Sequence, residues 1–146
     1  MNITYGICVG KEYSRDYLQR QIISIIYNQP NPDGWELILV GQDIEDFKGL
    51  AHARVINFDE SVKPGWITKK KNIIAEEAKN NVLCIMHDYF FLSKNWLTGV
   101  NKYCREITDK WQVLMNEVQT FEGTRHADWQ VSPIYMNEAI SIQSFV

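Results

Sequence analysis

The chain predicts an α/β protein with a mostly parallel sheet and helices on both faces, and three observations carry that expectation. Strand-like and helix-like segments alternate from the N-terminus onward, the pattern of a layered α/β architecture. The first connection runs strand, helix, strand, which makes its two strands parallel. Residues 82–86 form an unbroken apolar run, Val82-Leu83-Cys84-Ile85-Met86, bounded by Asn80-Asn81 and by His87-Asp88. Such a run reads as a strand buried on both faces, the kind found in parallel sheets.

The elements follow in order. A first strand covers residues 4–9 and is closed by Gly10. Leu18, Ile22, Ile25 and Ile26 then recur at i, i+4, i+7 and i+8, the stripe of an amphipathic helix over residues 14–27. Asn28-Gln29-Pro30-Asn31-Pro32-Asp33-Gly34 stops it. Residues 35–40 are a second strand ended by Gly41, and residues 54–58 a short third one. A second helix is expected over residues 67–79, with Ile67, Ile74, Ala75 and Ala78 as its apolar face, Thr68 as N-cap and Asn80-Asn81 as stop. The apolar strand at 82–86 comes directly after it. Trp96 or Leu97, Val100, Cys104 and Ile107 fit the helical period again, and residues 111–115 read as a further strand. Beyond Thr120 the period is lost, although the last seven residues, from Ile140, are strand-like.

With 146 residues and no repeat, linker or low-complexity tract, the expectation is a single domain over residues 1–146. An apolar share of 45% and a charged share of 23% are those of a soluble globular protein, and no segment approaches the ~20 apolar residues of a membrane span. The start, Met1-Asn2-Ile3-Thr4, lacks the basic and apolar regions of a secretory signal, so the expected location is the cytoplasm. A net charge of -3 without a basic stripe argues against a nucleic-acid partner. Cys8, Cys84 and Cys104 are odd in number and lack CxxC spacing, which suggests neither a disulfide framework nor a zinc site. Cys8 and Cys84, in strand-like runs, are expected as small buried hydrophobes.

In open α/β sheets ligands bind beyond the carboxyl ends of the strands, where His87-Asp88 would emerge. Imidazole suits manganese or zinc and carboxylate suits magnesium or manganese, so the pair could hold a divalent ion and, through it, a diphosphate. Adjacent strand residues point to opposite faces, so both reach one ion only if the backbone turns there. Asp88 capping the next turn, with His87 a hydrogen-bonded strand-end histidine, explains the same residues without a ligand. Lys69-Lys70-Lys71 sit in the first turn of the second predicted helix, where the dipole disfavours positive charge by ~0.3–1 kcal/mol per group. A phosphate on the free N–H groups there, beside Lys70 or Lys71, would reverse that sign. A solvated lysine run, or a later helix start, fits equally. Gly10 and Gly41 permit a close backbone approach to a ligand or simply mark turns. Trp66 could stack on a base or sugar, or belong to the core. Asp128, Trp129, Glu117, Glu122 and Glu138 have the chemistry of acids, bases or sugar contacts, but no spacing singles one out, and the catalytic residues stay unassigned.

Taken together, these pieces resemble the front half of a family 2 glycosyltransferase of the GT-A fold. Ile7-Cys8-Val9-Gly10 and the helix carrying Ser24-Ile25 and Gln29 resemble that family's first strand and its SI..Q helix end. Glu36-Leu37-Ile38-Leu39-Val40 resembles its second strand, Lys71-Asn72 its (R/K)N segment beside the nucleotide, and Ile85-Met86-His87-Asp88-Tyr89 its DxD motif. Leu92-Ser93-Lys94-Asn95-Trp96-Leu97 resembles the stretch that follows. The match runs over roughly residues 3–100, and it implies a GT-A, Rossmann-like domain incomplete at its C-terminus. It also implies a nucleotide-diphosphate sugar donor and transfer to an acceptor hydroxyl with inversion. The donor nucleotide would be held by Val9, Gly10, Gln42, Lys70, Lys71 and Asn72, and a divalent manganese or magnesium ion with the diphosphate by His87 and Asp88. The acceptor is not implied. Two departures stand out: Gly41-Gln42 replaces the acidic residue after strand two, and Tyr89 replaces the last carboxylate of the DxD motif. The alternative is a non-catalytic nucleotide-binding or protein-interaction module of the same fold. A nucleotidyltransferase is disfavoured because no glycine-rich phosphate loop follows strand one.

Overall fold

The computed structural model describes residues 2–29, 31–106, 117–119 and 143–145. They belong to two compact units, Met1–Gln19 with Gln29–Tyr89, and Arg20–Asn28 with Phe90–Val146.

The first unit is built on four strands, β1 (Ile3–Cys8), β2 (Trp35–Gly41), β3 (Ala53–Asn57) and β4 (Val82–His87), in the order β3-β2-β1-β4. Every pairing is parallel. β1 is therefore central, and all six of its residues are buried. The β1-to-β2 connection passes through α1 (Arg15–Tyr27) and the β3-to-β4 connection through α2 (Ile67–Glu77). These connections cross the sheet in opposite directions. Right-handed crossovers therefore place α2 and the opening turns of α1 on opposite faces. Strand, helix and parallel sheet thus follow the sequence expectation, each boundary within two residues.

Alternation along the strands sorts the core. Cys8, Ile38 and Val40 cluster with Ile74 of α2, and Ile56, Phe58 and Ile73 pack around them. Gly6 is the gap into which α2 settles: a Cβ there would lie 2.3 Å from Ile74 Cγ2. Gly6→Ala is accordingly expected to destabilise the protein by about 1–3 kcal/mol, as overpacking does. Urea denaturation followed by tryptophan fluorescence checks this, and an unchanged midpoint would show that Ile74 has room to move.

The amino ends of the strands are closed by a polar knot. Glu36 accepts from the Thr4 hydroxyl at 2.7 Å, the Lys79 N–H at 2.6 Å and Arg54 Nη2 at 3.2 Å, and Arg54 also meets Glu77 at 2.9 Å. Burial pushes the Glu36 carboxyl up, but the bonds from Thr4, Lys79 and Arg54 outweigh it and hold it below the usual range. This end is consumed in structure, which leaves the carboxyl ends of the strands for chemistry.

Several expectations are corrected. The run at 82–86 is not buried on both faces, since Leu83 and Ile85 are 40% and 37% exposed. Cys84, on the opposite face, is half-buried. On α2 the buried face carries Lys70 and Ile74, whereas Ile67 and Ala75 are exposed. The helix starts one residue before Thr68, with Trp66 in the cap position and no side-chain cap, so Thr68 lies inside it. On α1, Leu18, Ile22 and Ile25 are buried but Ile26 is 48% exposed.

The second unit contains the rest of α1, then α3 (Trp96–Glu106) and a three-stranded sheet ordered β5 (Phe91–Leu92), β7 (Gln143–Phe145), β6 (Glu117–Gln119). β7 runs antiparallel to β5 and parallel to β6. Asn28 is its hinge pin: its amide donates to the Ser24 carbonyl at 2.9 Å and the Ser93 carbonyl at 3.0 Å, and its oxygen accepts the Leu97 N–H at 3.3 Å. Trp96, Leu97 and Val100 of α3 are buried, as the period predicts. The strand expected at residues 111–115 lies outside the described residues. Among the described residues no helix is long and apolar enough to cross a membrane.

Candidate functional site

The carboxyl ends of β1, β2 and β4 converge because the strands are parallel and in register, with Cys8 opposite both Val40 and His87. Just beyond β4, Asp88 turns back across the sheet edge, and its Oδ2 accepts the Gly10 N–H at 2.8 Å. The bond joins segments 78 residues apart. A Cβ on Gly10 would sit 3.4 Å from the same oxygen, which is contact but not a clash.

Asp88 and Gly10 line a cleft of about 400 Å³ together with Glu12, Tyr13, Ser14, Tyr17 and Tyr89. A volume of that size lies within the range of small-molecule sites. The opening of α1 shapes the wall. The Ser14 hydroxyl accepts the Tyr17 N–H at 3.4 Å, an N-cap contact that fixes where Tyr17 stands. Tyr13 donates its hydroxyl to the Asp43 carbonyl at 2.9 Å. Asp43 presents that carbonyl from a left-handed backbone conformation, φ 56°, which Asp tolerates better than most residues.

His87 shares the face of its β1 partner Cys8, on the side of α2. Its ring stacks on Tyr89, with centroids 5.5 Å apart and planes 17° from parallel. Burial pushes the imidazole pKa down, and the Lys71 and Lys70 charges add to that against the pull of Asp88. A neutral imidazole is the metal-binding form. Cys8 is buried, and burial raises its thiol to about 11, so it remains a protonated hydrophobe at neutral pH.

The lysine run divides. Lys69 and Lys71 are exposed, as is Asn72, whereas Lys70 is 1% exposed. Lys70 Nζ pairs with Glu60, donates to the Val9 carbonyl at 2.6 Å and lies 5.2 Å over the Phe58 ring. Glu60 is equally buried and takes the Gly65 N–H at 2.8 Å. Burial raises its carboxyl, but the bonds from Lys70 and Gly65 outweigh that and lower it. The Glu60 N–H in turn donates to Gln42 Oε1 at 3.4 Å, and Gln42 donates to Asp43 at 3.2 Å. Gly41 permits a close approach, though to Val9 rather than to a ligand: a Cβ there would stand 2.7 Å from the Val9 Cβ.

Of the residues singled out from sequence, Val9, Gly10, Gln42, Lys70 and Asp88 are linked through hydrogen bonds, and Lys71 and His87 sit on the α2 side. Trp66 is half-buried beneath the Lys63 ammonium at 5.2 Å. Asp128, Trp129, Glu122 and Glu138 lie outside the described residues, and Glu117 opens β6. Sequence reasoning missed Glu60, Glu12, Tyr13 and Tyr17. Ser14 followed by the helical stripe was the available signal for the last two, since a cap fixes the turn before it. Among the described residues, no group of three or more His, Cys, Asp or Glu side chains is gathered to hold a metal ion.

No family model and no curated protein matches the sequence. Solved structures do match. S. aureus TarS residues 1–349 align with a TM-score of 0.64 at 12% identity, over 88% of this chain and 39% of that one. A second TarS structure gives 0.66 at 13% identity, over 89% and 23%. The TarS 1–349 complex with UDP-GlcNAc gives 0.64 at 14% identity, over 88% and 37%. The chain has the GT-A-like fold of these structures and spans well under half of their length.

Proposed function

We propose that this chain is the donor-binding part of a family 2 glycosyltransferase, one that moves a sugar from a nucleotide diphosphate to an acceptor hydroxyl with inversion. The observation that supports it most is the Gly10–Asp88 contact at the mouth of a cleft, at the carboxyl edge of a parallel sheet. That is where such folds bind ligands. TarS, which shares the fold, has been seen in complex with UDP-GlcNAc and with UDP.

In this reading the nucleoside lies along Val9, Gly10, Gln42 and Asn72, and the diphosphate lies between Lys71 and Asp88. Asp88 offers about four acceptor positions, of which the Gly10 N–H takes one. Magnesium and manganese are commonly held by one or two carboxylates plus substrate phosphates. Asp88 would hold such an ion, with neutral His87 flanking the diphosphate from the α2 side. When bound, the ion would stabilise charge on the departing diphosphate. Lys71 adds positive charge at the same place, and Lys70, being buried, acts on the site only through the backbone it bonds. A non-catalytic binding module is the second reading, favoured by Tyr89, which stacks on His87 where the family pattern has a carboxylate.

A thermal-shift panel of UDP, GDP, CDP and dTDP, with and without manganese, tests the reading. A ligand at a hundred times its Kd adds about 2.7 kcal/mol, a shift of several degrees. No shift with any nucleotide would sink it. Lys71→Ala is expected to weaken a nucleoside diphosphate by roughly fivefold to tenfold while leaving the bare nucleoside unchanged, since the lost term is a phosphate contact. Equal losses for both, measured by calorimetry, would place Lys71 away from the phosphates.

A further inference from the structure

The Val9 carbonyl and the Gly10 N–H belong to one peptide group, and each end of that group meets a charged side chain. Lys70 Nζ donates to the carbonyl oxygen at 2.6 Å, and the N–H donates to Asp88 Oδ2 at 2.8 Å. A cation on the oxygen side and a carboxylate on the hydrogen side polarise the planar amide in the same sense. Hydrogen bonds linked in this way strengthen one another. The chain continues inward, because the Lys70 ammonium is paired with Glu60, which is anchored by the Gly65 N–H.

We infer that Lys70 and Glu60 are positioning residues for Asp88, acting through the Val9–Gly10 peptide. Lys70 and Glu60 are each 1% exposed, so neither touches a ligand directly. Nor does stability explain the pair: a buried ion pair can often be replaced by apolar residues of similar volume at no cost. What an apolar pair cannot do is bond the Val9 oxygen and polarise the amide that holds Asp88. The relay therefore keeps the carboxylate fixed at the mouth of the cleft, turned toward incoming ligand. Its effect on nucleotide affinity rests on the function proposed above, whereas the relay itself does not.

The test uses the ¹⁵N-labelled full chain carrying Glu60→Leu together with Lys70→Met. The Gly10 amide proton is expected to move upfield and to exchange with solvent roughly twofold to fourfold faster, the size of losing the upper part of a cooperative strengthening of about 10–30% in its charge-assisted bond to Asp88. The amides of β2 should exchange as before. An unchanged Gly10 amide in a folded double variant overturns the inference. Should the double variant not fold, Asp88→Asn reads the relay from its other end: the Lys70 ¹⁵Nζ resonance is expected to shift, and an unmoved Lys70 signal overturns the inference equally. Nucleotide titration separates the two ideas. Binding by the wild type with lower affinity in the double variant supports both. Gly10 and Lys70 responding as described in a protein that binds no nucleotide supports the relay and sinks the nucleotide reading.

Discussion

Glu60→Ala is expected to destabilise the protein by about 3–5 kcal/mol, because it leaves the Lys70 ammonium buried without its counter-charge. Against a typical total of roughly 5–15 kcal/mol that is enough to unfold a marginal protein near room temperature. The Gly65 N–H loses its acceptor in the same step, which adds to the cost. Glu60→Leu combined with Lys70→Met should cost less, about 1–3 kcal/mol, since both charges leave together and the volume is kept, so that only the lost partners of the Gly65 N–H and the Val9 carbonyl remain. Urea denaturation of the three proteins decides it. If the single variant is as stable as the double, the pair is solvated and the reading of this core is wrong.

Asp88→Asn carries the second large effect, on binding rather than on folding. Asparagine keeps an oxygen for the Gly10 N–H, so the fold should be retained and the midpoint of unfolding should change little. The negative charge that would meet a cation and diphosphate is gone. Nucleotide-diphosphate affinity in manganese should fall between about 10- and 100-fold, the range for a hydrogen bond or contact to a charged group. Calorimetric titration measures this directly, and equal affinities would remove Asp88 from the site.

Much of the fold was legible because strands and helices here follow simple periodicities. The apolar run after Asn80-Asn81 announced β4, and the spacing of Leu18, Ile22 and Ile25 announced α1. The strand-end rule directed attention to Asp88, which the structure has just beyond the carboxyl end of β4. The α2 face was misread for a physical reason. Its centre is Lys70, one turn before Ile74, and a lysine on a helix reads as a solvent position unless its partner is known. That partner, Glu60, lies ten residues earlier, in a segment without periodicity. Exposed Leu83 and Ile85 show the converse limit, because the apolar sequence of a strand does not say whether another layer covers each of its faces. The Gly10–Asp88 bond was out of reach for the same reason as most long-range contacts: neither residue carries a local sign of the other.

The proposed function requires that a nucleotide diphosphate bind where Asp88 meets Gly10. The most direct measurement is a titration of the ¹⁵N-labelled chain with UDP and UDP-GlcNAc in magnesium, followed by amide chemical shifts. Saturable shifts concentrated on Gly10, Lys71, His87 and Asp88 are expected, and so is their loss in Asp88→Asn. No saturable change at millimolar ligand, or saturable shifts confined to residues away from these strand ends, would rule out a donor site at Asp88.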